Sequence, residues 1–284
     1  MPVGWFELTV DVPQECGDAV ANFLIENGAP GVQSEDIGAR AAVTAHFRDE
    51  PPVEALRRYC LDTGCTHADG FSIRTRRIAD EDWAHNWKRH FQPQLIGDRL
   101  YVCPPWNAIP PPGRLAIVID PGMAFGTGHH ATTRGCLELL ERAVGEEEIT
   151  RALDVGTGSG VLAIALAKLG VSTVWAVDND PKACAIAVAN AATNACSAIH
   201  VSSTLENISG PFDLVTANLF ANLLKELAPR LRDLLRPRGI LVCSGFLTAD
   251  EDAVRAAYEA VGFTVVTRRE ADSWITAALR LVKQ

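Results

Sequence analysis

Apolar and polar residues alternate along Trp5-Phe6-Glu7-Leu8-Thr9-Val10-Asp11-Val12, the period-two pattern of a half-buried strand. From about Gln14 the period lengthens. Ala19, Val20, Phe23 and Leu24 recur at helical spacing as far as Glu26, and Asn27-Gly28 stops the run. Extended stretches near Val32 and at Ala41–Phe47 come next, then a helix over Val53–Leu61 behind Pro51-Pro52, then a strand at Phe71–Ile78. The order β-α-β-β-α-β predicts a small α+β module of the ferredoxin-like type.

Asp80–Phe91 reads as a linker helix, acidic at its start and basic at its end, with Trp83 and Trp87 four apart as a packing stripe. Leu100–Cys103 and Leu115–Ile119 are expected strands around a proline-rich turn. Beyond residue 130 helix and strand periods alternate. The predicted elements are helix Thr132–Val144, strand Ala152–Val155, helix Val161–Leu169, strand Thr173–Val177 and helix Pro181–Ala192, capped by Asp180. Strand Leu214–Ala217, helix Ala221–Leu235, a turn at Arg236–Gly239 and strand Ile240–Ser244 follow. Helix Ala249–Val261 and strands Thr264–Arg268 and Trp274–Leu281 end the pattern. This alternation predicts an α/β domain with a mostly parallel sheet, and the two final strands, with no helix between them, an antiparallel edge hairpin. The expected boundaries are 1–78 for the first domain, 79–92 for the linker helix and 93–284 for the second domain.

Composition adds limits. With 284 residues, 48% hydrophobic and 21% charged, the chain can build sizeable cores. No apolar run of about eighteen residues predicts a membrane span. Met1–Glu7 lacks the basic-then-apolar layout of a secretory signal, so a cytoplasmic location and no membrane partner are expected. The eight cysteines, at 16, 60, 65, 103, 136, 184, 196 and 243, form no Cys-x-x-Cys pair and are expected as free, mostly buried thiols. Residues 1–70 hold twelve acids against four arginines, a net of −8 within a total of −9. Such a field attracts a basic partner and repels phosphates, which disfavours a nucleic-acid target for this segment.

Candidate chemistry gathers where strands should end. Ala152–Val155 runs into Gly156-Thr157-Gly158-Ser159-Gly160 and then a helix, a turn whose small residues let backbone approach a ligand. Strand Thr173–Val177 ends at Asp178, where a carboxylate can hold ribose hydroxyls. Val161 stands where a pyrophosphate-binding fingerprint has its third glycine, which favours a ligand without pyrophosphate, such as S-adenosylmethionine. A tight strand–helix turn with no ligand is the plain alternative. Asn218-Leu219-Phe220 follows another strand, and the amide either faces the reactive end of a donor or caps the next helix. A long glycine-broken loop, Asp120–Thr133, is of the kind that serves as a lid or binding loop. Its His129-His130 pair lacks a third ligand, so no metal is expected.

Together, Asp-Pro-Gly-Met-Ala-Phe-Gly-Thr-Gly-His-His-Ala-Thr-Thr, Leu-Asp-Val-Gly-Thr-Gly-Ser-Gly, Val-Asp-Asn-Asp-Pro and Asn218-Leu219-Phe220 resemble the ribosomal protein L11 methyltransferase family. The likeness extends to Trp5-Phe6-Glu7, Asp82-Trp83, Trp87-Lys88 and Trp274. The resemblance implies a Rossmann-like class I methyltransferase domain behind a substrate-recognition domain. It implies methyl transfer from S-adenosylmethionine to lysine ε-amines and the N-terminal α-amine of ribosomal protein L11. Thr133, Gly156, Asp178 and Asn218 carry over as cofactor contacts. Gly158 is added from the turn, Asp154 as support for the turn or for the donor's amino-acid end, and Phe125 as an apolar wall. Asn218, with Leu219 and Phe220, is expected to hold the amine. Where the family has Thr-His-Pro-Thr-Thr and Asn-Ile-Leu, this chain has His129-His130-Ala131-Thr132-Thr133 and Asn218-Leu219-Phe220.

A monomer acting on a protein is expected, with no direct nucleic-acid partner. The competing readings are a related protein-lysine or small-molecule N-methyltransferase, a nicotinamide-dependent oxidoreductase and a non-catalytic binding module.

Overall fold

A computed structural model describes residues 5–29, 31–66, 71–78, 92–120 and 130–282. The chain divides into two compact units, Met1–Gln92 and Pro93–Gln284. The expected linker helix with Trp83 and Trp87 lies outside the described residues, as do Phe125 and His129.

In the first unit, strands β1 (Trp5–Pro13), β2 (Val32–Ile37), β3 (Arg40–Phe47) and β4 (Ser72–Ile78) form an antiparallel sheet in the order β2-β3-β1-β4. Helices α1 (Gly17–Glu26) and α2 (Val53–Asp62) contribute Val20, Leu24, Leu56 and Cys60 to the same core as Leu8, Val10, Val12 and Val43. The period of two therefore puts alternate residues of β1 under the helices. Glu7, Thr9 and Asp11 take the opposite face, where Glu7 pairs with Arg76 and Asp11 with Arg40. One expectation is overturned here. Cys16 and Cys65 are joined in a disulfide, their Cα atoms 5.6 Å apart. Forty-nine residues separate them in sequence, and only the packing of α1 beside α2 brings them together. The other six cysteines are free.

The second unit holds a seven-stranded sheet. Its strands are β8 (Arg151–Val155), β9 (Thr173–Val177), β10 (Ile199–Ser202), β11 (Phe212–Asn218), β12 (Leu235–Leu247), β13 (Phe263–Ala271) and β14 (Trp274–Leu281). Their order is β10-β9-β8-β11-β12-β14-β13, parallel as far as β12 and antiparallel across the final pair. Helices α3 (Ala131–Glu146), α4 (Val161–Lys168), α5 (Pro181–Thr193), α6 (Ala221–Leu234) and α7 (Glu251–Ala260) pack on it. Two separate apolar cores cover it, one holding Leu137, Leu140, Ile164 and Val242, the other Leu153, Leu231, Leu241 and Tyr258. Adjacent residues Leu241 and Val242 fall in different cores, as alternation on a sheet covered on both sides requires.

Three strands, β5 (Gln94–Ile96), β6 (Leu100–Cys103) and β7 (Leu115–Val118), make a separate small sheet. The turn expected at Arg236–Gly239 lies inside β12. Phe212 pairs with Leu235 but Leu214 pairs with Ile240, so the intervening residues bulge out, with Arg238 at φ +62°. Asp213 stitches this end of the sheet, accepting from the amides of Thr150 and Arg151 at 2.8 and 2.9 Å and pairing with Arg236 at 2.6 Å.

Candidate functional site

Val155 pairs with Val177 on one side and with Ala217 on the other. Gly156, Asp178 and Asn218 therefore leave three adjacent parallel strands at one level, the carboxyl edge where open α/β sheets take ligands.

The turn after β8 is held by backbone. The amides of Gly156 and Thr157 both donate to the Val177 carbonyl, at 2.8 and 3.0 Å, and the Gly160 amide donates to Thr157 O at 2.8 Å. Gly156, Gly158 and Gly160 have φ of +73°, +52° and +83°, a region that L side chains rarely enter, which is why this turn is written in glycine. Buried Asn190 donates to Ser159 O at 2.8 Å and pins the turn to α5.

Asp178 is half-buried, and its carboxylate accepts from the Gly158 amide at 2.9 Å and the Asp180 amide at 3.0 Å. Two of its roughly four lone-pair positions are used, leaving acceptor capacity for hydroxyls. Asp180 caps α5 by accepting from Lys182 N at 2.8 Å.

Asp154 is fully buried and takes the Thr157 hydroxyl at 2.6 Å. Burial pushes its carboxyl up to about 7, against the pull of the Thr157 hydroxyl. Among the described residues, neither its other oxygen nor Thr133 Oγ1, both buried, has a hydrogen-bond partner. Thr133 stands in the first turn of α3 with 1% of its surface exposed. Such groups are costly to bury unpaired, and they are where a polar ligand atom would be accommodated.

Asn218 does not cap α6. The helix begins at Ala221, and Phe220 is its capping residue with no side-chain bond. Instead Asn218 Nδ2 donates to Thr132 Oγ1 at 3.2 Å. His130 caps α3, with Nδ1 accepting from the Thr132 amide at 3.4 Å and lying 2.8 Å from Thr132 Oγ1. With Nδ1 an acceptor, the Thr132 hydroxyl donates to it and receives from Asn218. His130 also meets Trp274 edge to face, ring centroids 4.9 Å apart. His130 is thus engaged in helix capping and packing.

Leu219 donates its amide to Ser244 O at 2.9 Å and lays its side chain over Gly156. Phe220 is 68% exposed just beyond it. Thr132, Ser244 and Gly245 were not singled out from sequence as site residues. Thr132 lies within the glycine-broken loop motif, and Gly245 follows a strand end, so each carried a local signal that periodicity does not weigh.

Comparison with known proteins matches this architecture. The family profile "Ribosomal protein L11 methyltransferase (PrmA)" aligns with residues 4–281. A ribosomal protein L11 methyltransferase of Geotalea uraniireducens is 36% identical across 98% of each chain. One from Pelotomaculum thermopropionicum is 37% identical across 98% of this chain and 99% of its own. The crystal structure of a ribosomal protein L11 methylase from Lactobacillus delbrueckii subsp. bulgaricus superposes with a TM-score of 0.63 at 31% identity, over 68% of this chain and 99% of that one. With a family profile spanning almost every residue and full-length relatives above 30% identity, the chain belongs to the ribosomal protein L11 methyltransferase family.

Proposed function

We propose that the protein transfers methyl groups from S-adenosylmethionine to lysine ε-amines and the N-terminal α-amine of ribosomal protein L11. Residues 93–284 would perform the transfer, and residues 1–78 would hold the substrate protein. The observation that carries this reading is the shared exit level of Gly156, Asp178 and Asn218.

The residues present suit the methyl donor. Asp178 offers acceptor positions to ribose hydroxyls, the positive-φ glycines expose backbone, and buried Thr133 Oγ1 has no partner among the described residues. Gly158 acts through its amide, which fixes Asp178. Asp154, fully buried and bonded to Thr157, supports the turn. When bound, S-adenosylmethionine supplies an electrophilic methyl on a positively charged sulfonium.

The acceptor must arrive as a neutral amine, although a free lysine titrates near ~10.4. An apolar opening disfavours the ammonium form. Leu219, over Gly156, and exposed Phe220 line that opening. With Nδ2 engaged by Thr132, the Asn218 carbonyl oxygen accepts an amine hydrogen, and the Leu219 carbonyl accepts another. Two such bonds aim the nitrogen lone pair. The proton leaves to water before transfer, so no dedicated base is needed, and orientation supplies on the order of 7 kcal/mol or more of the acceleration.

The test is mass spectrometry of purified ribosomal protein L11 after incubation with the protein and labelled S-adenosylmethionine. Added multiples of one methyl mass on lysines and the N-terminus support the reading. Label transferred to small amines but not to the ribosomal protein refutes the assigned substrate.

A further inference from the structure

Leu219 is gripped from two sides, and only one grip belongs to the cofactor turn. On the other side is Gly245, at φ +94° in the last part of β12. A Cβ added there would lie 2.5 Å from Leu219 O, 2.8 Å from Leu219 C and 2.9 Å from Leu219 N. These are backbone atoms, so no rotamer change relieves the overlap. The neighbouring residue is anchored as well: Ser244 Oγ donates to Ile275 O at 2.7 Å and lies 2.9 Å from Thr276 Oγ1, while Ser244 O receives the Leu219 amide at 2.9 Å. Gly245 cannot retreat easily, because Ser244 is tied to β14.

We propose that Gly245 is a positioning residue for methyl transfer: its bare Cα lets the Leu219 peptide lie flat against β12 and so sets where the Leu219 carbonyl and the adjoining Asn218 amide face the acceptor amine. This rests on Asn218-Leu219-Phe220 being the amine-holding segment. A methyl group at residue 245 displaces that peptide by some tenths of an ångström to an ångström, a shift large enough to cost up to about a hundredfold in rate when reacting atoms must align.

Three variants are assayed with ribosomal protein L11 and labelled S-adenosylmethionine: Gly245→Ala, Asn218→Ala and Gly170→Ala. Gly170 has a comparable φ of +106° but opens onto empty space, so its substitution carries backbone strain without the clash. Gly245→Ala is expected to lower kcat at least thirtyfold, with the KM for the protein and the Kd for S-adenosylhomocysteine each within threefold of the unaltered chain. Gly170→Ala keeps kcat within threefold. By hydrogen exchange, the Leu219 amide of Gly245→Ala loses at least tenfold of its protection while the β11 ladder keeps its own. The proposal is overturned by a kcat within threefold of Gly170→Ala, or by unchanged Leu219 protection. Cofactor affinity falling in step with kcat, or protection lost throughout β11, makes Gly245 a general fold residue and also overturns it. Asn218→Ala separates the two levels of argument. Its full activity removes the amine-holding segment and this proposal with it, whereas an inactive Asn218→Ala beside a fully active Gly245→Ala removes this proposal alone.

Discussion

Asn218 Nδ2 donates to Thr132 Oγ1 across 3.2 Å, joining the end of β11 to the first turn of α3 over 86 residues of sequence. An amide has its nitrogen and oxygen on opposite sides of Cγ, so fixing one atom fixes the direction of the other. The Thr132 hydroxyl is itself oriented by His130 Nδ1, so the rotation of the Asn218 amide is set from α3.

Thr132→Val keeps the volume of this buried side chain and removes the hydroxyl. Its kcat for protein methylation should fall by about tenfold, the worth of one oriented hydrogen bond, with cofactor Kd within threefold. Steady-state kinetics and calorimetry give both numbers. Unchanged kcat would mean that Asn218 orients itself without Thr132.

Asp178→Ala removes the acceptor of the Gly158 and Asp180 amides together with the proposed ribose contact. Affinity for S-adenosylhomocysteine should drop by at least tenfold, since a charge-assisted hydrogen bond is worth about 1.5–3 kcal/mol. Isothermal titration measures it, and an unaltered Kd would relocate the ribose site.

Asp154 ties stability to pH. Its carboxyl titrates near 7 when folded, because burial penalises the charge, and near ~3.9 when unfolded. Between those values the folded chain holds a proton that the unfolded chain has released, so this contribution is full below about pH 4 and is lost as pH rises toward 7. The slope approaches about 1.4 kcal/mol per pH unit. Asp154→Asn abolishes it, so urea unfolding at several pH values should show the variant gaining on the parent steadily from pH 4 to 7. A constant difference would mean that Asp154 is ionised in the fold.

Electrostatic docking of a basic substrate should weaken with salt. Counted over 1–92 the first unit has fifteen acids and nine cations, a net of −6, because residues 71–92 add Arg74, Arg76, Arg77, Lys88 and Arg89 against Asp80, Glu81 and Asp82. Glu7 is bound up with Arg76 and His46, whereas the run from Gln14 to Glu26 carries Glu15, Asp18 and Glu26 with no cation. The KM for ribosomal protein L11 should rise by about fivefold or more between low and high ionic strength while kcat stays level. A salt-independent KM would point to apolar docking.

Much of this was legible in the residues. The period of two in Trp5–Val12, the alternation of helix and strand after residue 130 and the unbroken closing pair of strands predicted most elements of the two larger sheets and the antiparallel edge, and β9, β6 and β14 fall on their predicted limits. Two short elements escaped: β10 and β5 have four and three residues and lack the all-apolar run that marks equally short β6, and they pair with the edges that β9 and β6 offer. The bulge at Arg236–Gly239 escaped for a related reason, since turn-forming residues look the same whether they end a strand or loop out of one.

Local order and chemical vocabulary belong to the sequence, because periodicity, glycine turns and caps act through neighbours a few residues apart. That is why the turn at Gly156, the acid at Asp178 and the amide at Asn218 could be named in advance. Which partner each would meet was decided by the fold. The Cys16–Cys65 bond, the Thr132 hydroxyl on Asn218 and the backbone of Leu219 against Gly245 join residues 26 to 86 positions apart. Such contacts depend on how strands register and helices pack, and no local pattern encodes a distance set by the whole core.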